Sequence, residues 1–173
     1  MQQLISELIE AQIGRVRANE PLAKYTTWEI GGPADVFIVP ENEEQLSSAL
    51  TLLHRHGTPW CVLGRGSNTL VSDKGVRGAV IKLGDGFDDV HFEGTTVTAG
   101  ASYSFIKLSV MVGKEGLTGL EFAGGIPGTV GGAVYMNAGA HHSDVSRILK
   151  SADVIWEDGS RSVLGNEDMG FSY

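Results

Sequence analysis

Apolar residues recur at helical spacing at the start of the chain: Leu4, Ile5, Leu8, Ile9 and Ile13, with Gly14 closing the pattern. This spacing predicts an amphipathic helix. Residues 15–33 are mixed in character and end in Ile30-Gly31-Gly32-Pro33, a turn signal. An apolar-rich run over residues 34–39, stopped by Pro40, predicts a strand. A second helix follows. Asn42 can cap it, and Gln45 stands three residues on, as in a capping box. Leu46, Ala49, Leu50 and Leu53 mark one face, and Gly57 ends it. Residues 60–63 and 78–83 read as further strands, with residues 69–71 resuming the first after a break at 64–68. Strand, helix and strand at this spacing form a βαβ unit.

The pattern changes after residue 83. Residues 90–93 and 95–99 predict a hairpin around Gly94, and residues 103–113 a helix with Phe105, Ile106, Leu108 and Val112 on its apolar side. Residues 152–156 and 160–164 flank Glu157-Asp158-Gly159, a strong hairpin signal. Asn166-Glu167-Asp168 opens a further helix. The expected class is α+β, with one α/β subdomain over residues 1–83 and a second over 84–173 that stops before a closing strand.

Composition alters this picture mainly through glycine. There are 24 Gly among 173 residues, about twice the usual share. They sit between apolar residues, which points to tight turns and close backbone approach. The net charge of −8 argues against nonspecific nucleic-acid binding, yet leaves room for a small anion held by backbone N–H groups. Cys61 is the only cysteine, so neither an intrachain disulfide nor a Cys-based metal site is expected. Its apolar strand predicts a buried packing residue. The N-terminus lacks the basic and continuous apolar regions of a signal peptide. No apolar run approaches the roughly 20 residues of a membrane span, so no membrane insertion is expected.

Two glycine-rich loops carry the candidate chemistry. Gly64-Arg65-Gly66-Ser67-Asn68 directly follows an apolar strand. It can be an anion-binding nest with Ser67 and Asn68 as extra donors, or a tight turn between strands. It is not a P-loop, and Thr69 stands where a dinucleotide fingerprint has its third glycine. The second stretch, residues 124–132, combines the fixed φ of Pro127 with glycines on both sides. Residues 137–140 form another turn. Two such loops on one short chain favour a large ligand with an anionic middle, such as a dinucleotide.

Several segments together resemble one family. They are Asn19-Glu20-Pro21-Leu22 with Tyr25-Thr26-Thr27, the stretch from Ile30 to Asp35, the loop at 63–68, residues 119–132, Met136-Asn137-Ala138-Gly139-Ala140 and Phe171-Ser172-Tyr173. The sequence resembles the N-terminal part of the UDP-N-acetylenolpyruvoylglucosamine reductase (MurB) family, flavoenzymes of bacterial peptidoglycan synthesis. The resemblance implies the FAD-binding fold of the vanillyl-alcohol-oxidase/PCMH type, with the second subdomain incomplete and the C-terminal substrate-binding domain absent. It implies non-covalent FAD, with NADPH as co-substrate and a UDP-sugar as substrate, in the bacterial cytoplasm.

Carried over by position, the resemblance assigns the FAD pyrophosphate to Gly64, Arg65, Gly66, Ser67 and Asn68, and to Gly125, Ile126, Pro127, Gly128 and Thr129. Thr129 is further implied to reach the flavin ring, and Asn137, Ala138 and Gly139 to lie near the isoalloxazine and substrate. Ile30, Gly31 and Gly32 are implied to shape the first subdomain beside the flavin, a role that packing explains equally well. Tyr173 is implied to contact substrate. In the family reaction, hydride passes from NADPH to FAD and then to the enolpyruvyl group of the UDP-sugar. A serine protonates the neighbouring carbon, and a glutamate and an arginine polarise the substrate carboxylate. Those three residues lie beyond residue 173, so no catalytic residue is assigned. The expectation is a fragment that retains part of the FAD site, lacks reductase activity and tends to associate.

His141-His142 replaces the Tyr-Gly common in the family. With no third ligand near in sequence, no metal is expected there, and no covalent flavin link is expected of this family. His54 and His56 suit the carboxyl end of a helix, Trp28 and Trp60 read as packing residues, and the acids at 41–44 and 157–158 as helix-start and turn chemistry. Two rival readings remain: an FAD-dependent sugar or alcohol oxidase of the same fold, and a non-catalytic flavin-binding module.

Overall fold

The computed structural model describes residues 1–172, so Tyr173 and its assigned substrate contact lie outside the described residues. The chain divides into two compact units, one of residues 1–86 with 155–162, the other of residues 87–154 with 163–173.

The first unit is built on a four-stranded sheet in the order β1-β2-β4-β3. β1 (Arg15–Pro21) pairs antiparallel with β2 (Pro33–Val39), from Arg15 opposite Val39 to Pro21 opposite Pro33. β4 (Val76–Ile81) lies parallel between β2 and β3 (Trp60–Val62). The predicted βαβ unit is therefore present, with β4 inserted between its two strands. Helices α1 (Gln2–Glu10) and α2 (Glu43–Arg55) belong to this unit.

Both faces of the sheet are buried at its central strands β2 and β4, which is why β2 reads as a continuous apolar run and not as an alternation. One face packs Val36, Ile38, Ala79 and Ile81 against Leu4, Leu8, Ala49, Leu50 and Leu53 of the two helices. The other packs Ala34, Phe37, Val39 and Val80 with Leu22, Leu63 and Val71. Ala34 shares a face with Phe37 and Val39 because the register shifts between Ala34 and Val36.

α2 starts as expected: Asn42 Oδ1 accepts from the Gln45 N–H at 2.9 Å, with Glu43 and Glu44 in the first turn. The Gln45 side chain instead accepts from the Glu41 N–H, one residue before the cap. Glu7 of α1 binds Arg55 at 2.6 Å and His56 at 3.0 Å. These three residues line, with Gln3, Glu10, Ala11 and Leu52, an open groove of about 650 Å³ between α1 and the end of α2 that includes none of the glycine-loop residues.

In the second unit, β5 (Val90–Glu93) and β6 (Thr96–Ala99) form the expected hairpin. Helix α3 (Phe105–Lys114), capped by Ser104, contributes Phe105, Leu108 and Val112 to a separate core with Phe122, Ala133 and Val145. Phe105 meets Phe122 edge-on at 6.0 Å between ring centroids. The glycine-rich stretch holds a 3₁₀ turn (Glu121–Gly125) and a short helix, α4 (Val130–Tyr135). Two two-residue strands, β7 (Gly139–Ala140) and β8 (Ser143–Asp144), follow, and then the hairpin β9 (Ser151–Ile155) and β10 (Arg161–Gly165).

Several expectations are corrected. Part of the mixed segment 15–33 is strand β1, whose charged residues flank a strand at the sheet edge. Residues 69–71 form no strand. The helix expected at 166 is a 3₁₀ turn (Asn166–Met169) ended by left-handed Gly170. Cys61 is exposed in β3, an edge strand of which only Trp60 packs against a core cluster. Trp28 is 70 % exposed, lying in a surface turn instead of a core, whereas Trp60 does pack against the helical face.

Candidate functional site

The 64–68 loop leaves β3 where the apolar pairing ends. Leu63 still donates to Ile81 O at 2.8 Å, and its side chain is buried. Gly64 O then accepts from Lys82 Nζ at 2.9 Å, and Gly66 O from the Thr27 N–H at 3.2 Å. Gly66 has φ +67, and a Cβ on it would lie 2.3 Å from Tyr25 O and 2.7 Å from Thr26 Cα. Only glycine fits this close backbone approach. The turn beneath it is held from within: Thr26 Oγ1 donates toward Ala23 O and Ile30 O, and the Tyr25 ring stacks on Phe37 at 4.4 Å. Gly31 and Gly32 are explained by packing, since their Cβ positions fall 2.7 Å from Val71 Cβ and 2.1 Å from Asp73 O.

Behind that turn sits Glu20 of the Asn19-Glu20-Pro21-Leu22 segment. It is only 7 % exposed. Lys24 Nζ approaches it at 2.7 Å, Tyr25 OH donates at 2.7 Å and Arg17 at 3.0 Å. The Lys24 hydrogen bond, aided by Tyr25 and Arg17 and opposed by burial, holds the Glu20 carboxyl down at about 2. Lys82, just past β4, carries no motif of its own in the sequence. Burial, and then the neighbouring Arg65 charge, push its ammonium pKa down, while Asp85 opposes. The partners of Glu20 lie within five residues of it in sequence, whereas Lys82 meets Gly64 only through the pairing of β3 with β4.

In the second unit, the 125–129 loop runs from the 3₁₀ turn into α4. Gly128 O accepts from the Phe105 N–H at 3.1 Å, and Thr129 bridges Ser104. Thr129 is buried and caps α4, its Oγ1 accepting from the Gly132 N–H at 3.2 Å. Val130 and Gly131 donate to Tyr103 O and Ala101 O, each at 2.9 Å. The first amides of α4 are thus used inside the chain, and any anion-binding share of this stretch falls to residues 125–129.

Gly125 differs from Gly66. Its φ is outside the left-handed region, and a Cβ on it would meet none of the described residues within 4 Å. Internal packing gives no reason for glycine there. Open space at an exposed backbone is what a closely approaching ligand needs.

Asn137 is buried in a left-handed conformation, φ +44. Its Oδ1 accepts from the Ser146 N–H at 2.9 Å, and Ala138 O accepts from Val145. Gly139 needs its small size, with its Cβ position 2.8 Å from both Asp144 Cβ and Ser143 O. Residues 137–139 therefore fix the β7–β8 turn. His141 and His142, both exposed, form its tip with φ +53 and +63.

Residues 34–165 match the family described as FAD binding domain. The UDP-N-acetylenolpyruvoylglucosamine reductase of Anoxybacillus flavithermus is 54% identical over all 173 residues, which cover 57% of that protein. The crystal structure of UDP-N-acetylenolpyruvylglucosamine reductase (MurB) from Thermus caldophilus superposes with a TM-score of 0.77 at 36% identity, over 92% of this chain and 55% of that one. Berberine bridge enzyme from Eschscholzia californica shares the fold alone, with a TM-score of 0.66 at 12% identity over 97% of this chain and 38% of that one. The fold is thus the α+β FAD-binding fold of the vanillyl-alcohol-oxidase/PCMH type. The chain spans little more than half the length of the curated relatives it matches. With the family match extending over most of its residues, the chain belongs to the FAD binding domain family and aligns with the N-terminal part of the UDP-N-acetylenolpyruvoylglucosamine reductases.

Proposed function

We propose that this chain supplies FAD-binding loops to a MurB-type reductase, which reduces UDP-N-acetylglucosamine enolpyruvate to UDP-N-acetylmuramate with NADPH, in peptidoglycan synthesis in the bacterial cytoplasm. Bound FAD supplies the hydride chemistry, and the protein's share is binding and orientation. Residues 64–68 and 125–129 contribute backbone and hydroxyl donors to the pyrophosphate, with Thr129 also directed at the flavin. Asn137, Ala138 and Gly139 shape the flavin and substrate side. Tyr173 belongs to the substrate contacts by its family motif.

The observation that carries the reading is Gly125: it has ordinary φ, is exposed, and no described residue lies within 4 Å of its Cβ position. The donor set fits a diphosphate, since amides and hydroxyls stabilise an anion without a bulky side chain.

The test is FAD binding by the purified chain, followed by flavin absorbance and fluorescence. Gly125→Val is expected to weaken FAD at least tenfold while leaving the melting temperature within a few degrees. An unchanged FAD affinity in Gly125→Val would overturn the loop assignment. Release of all flavin into solution on acid denaturation is the expected sign of non-covalent binding.

A further inference from the structure

We infer that Lys82 is a positioning residue for the 64–68 loop: its ammonium ties down the Gly64 carbonyl and sets a cation beside the amides that receive a diphosphate. The ligand in this inference rests on the FAD reading above.

Lys82 is placed by the sheet. It follows β4 directly, and its own N–H donates to Ile38 O at 2.9 Å, extending the β2–β4 pairing by one residue. The side chain then reaches the neighbouring strand's exit and donates to Gly64 O at 2.9 Å. Two residues later, Gly66 O is held by the Thr27 N–H. No peptide bond among the described residues is cis. In a trans peptide the N–H points opposite to the preceding carbonyl. Tying the Gly64 and Gly66 carbonyls thus aims the next amides, those of Arg65 and Ser67, away from each tie. The loop's donor direction is set by two anchors from outside the loop.

The charge carries a second argument. Lys82 is half-buried, and its hydrogen-bond partner is a neutral carbonyl. Anchoring a carbonyl does not require a full charge; an uncharged donor does so at lower desolvation cost. Lys82 also lines a cavity of about 40 Å³ with Arg15, Arg17, Tyr25, Phe37 and Val39. Arg15 and Arg17 in that lining are paired with Glu41 and Glu20, so in this chain of net charge −8 the cation held there on a neutral carbonyl is Lys82. Its field favours an anion at the loop and is weakened by salt.

The variants are Lys82→Met, which removes donor and charge, Lys82→Gln, which keeps a donor, and Lys82→Arg, which keeps both. FAD affinity is titrated at low and high salt, and amide hydrogen exchange of residues 65–68 is followed without flavin. Lys82→Met is expected to weaken FAD about tenfold, to flatten its salt dependence and to speed exchange at 65–68. Lys82→Arg is expected to restore all three, and Lys82→Gln the exchange alone. Exchange and salt dependence in Lys82→Met equal to wild type would overturn the inference, as would failure of Lys82→Arg to rescue. If wild type takes up no FAD, the functional reading fails. The exchange data then still decide whether Lys82 holds the loop.

Discussion

A carboxylate withdrawn from water keeps its charge only where donors replace the solvent, and Glu20 has Lys24, Tyr25 and Arg17 to do so. Its folded pKa of about 2 lies below the 4.5 of the free group. The stabilisation is therefore complete above pH 4.5 and is lost as pH falls toward 2. Glu20→Gln is expected to cost about 1–3 kcal/mol at pH 7, with the gap to wild type closing across that window. Urea unfolding at several pH values measures it; a gap that persists at the acid end would contradict this account. Strain is the other residue-scale feature. Ala140 pairs with Ser143, so His141 and His142 form a two-residue hairpin turn, both with positive φ. Such a turn prefers Asn-Gly, and a bulky residue there is strained. His142→Gly should raise stability by about 1 kcal/mol, read as a higher melting temperature. The histidine pair was visible in the sequence, but its conformation depends on the pairing of β7 with β8.

At the scale of elements, the tip of the β9–β10 hairpin belongs to the first unit, where it clamps α2. Thr51 Oγ1 donates to Asp158 O at 3.1 Å, and Arg161 pairs with Glu43 at 2.8 Å. Gly159 sits at the contact with φ +85, and its Cβ position is 2.2 Å from Thr51 Oγ1 and 2.6 Å from Ser47 O. Gly159→Ala is thus expected to destabilise by about 1–3 kcal/mol, whereas Gly94→Ala, with positive φ but open space around it, should cost less. Denaturation midpoints of the two variants test the ranking. The hairpin itself was legible from Glu157-Asp158-Gly159. Its docking partner was not, because more than a hundred residues separate Glu43 from Arg161.

At the scale of the molecule, the two units have separate cores: two clusters on the faces of the first sheet, and one around Phe105 and Phe122. Phe122→Ala should cost about 3–5 kcal/mol and release amide protection first within residues 87–154; equal early loss throughout residues 1–86 would argue against separate cores. The periodic helices and the β5–β6 hairpin were legible because local spacing encodes the buried face of each. So were the glycine loops, since a run nearly free of side chains is visible without any fold. β1 was missed because its charged residues lie at a sheet edge, where no alternation is required. The exposure of Cys61 and Trp28 was missed because a side chain's covering depends on what packs over it, not on its own polarity. Local sequence thus settled the periodic helices, the apolar strands β2 and β4 and the hairpins, and marked the glycine-rich backbone. Only tertiary structure decided which glycines serve packing, as Gly66 does, and which leave space open, as Gly125 does. It alone brought Lys82 to the Gly64 carbonyl, because that contact arises from strand order and register, which no local window contains, whereas the donors to Glu20 are near neighbours in sequence that the turn after β1 folds back onto it.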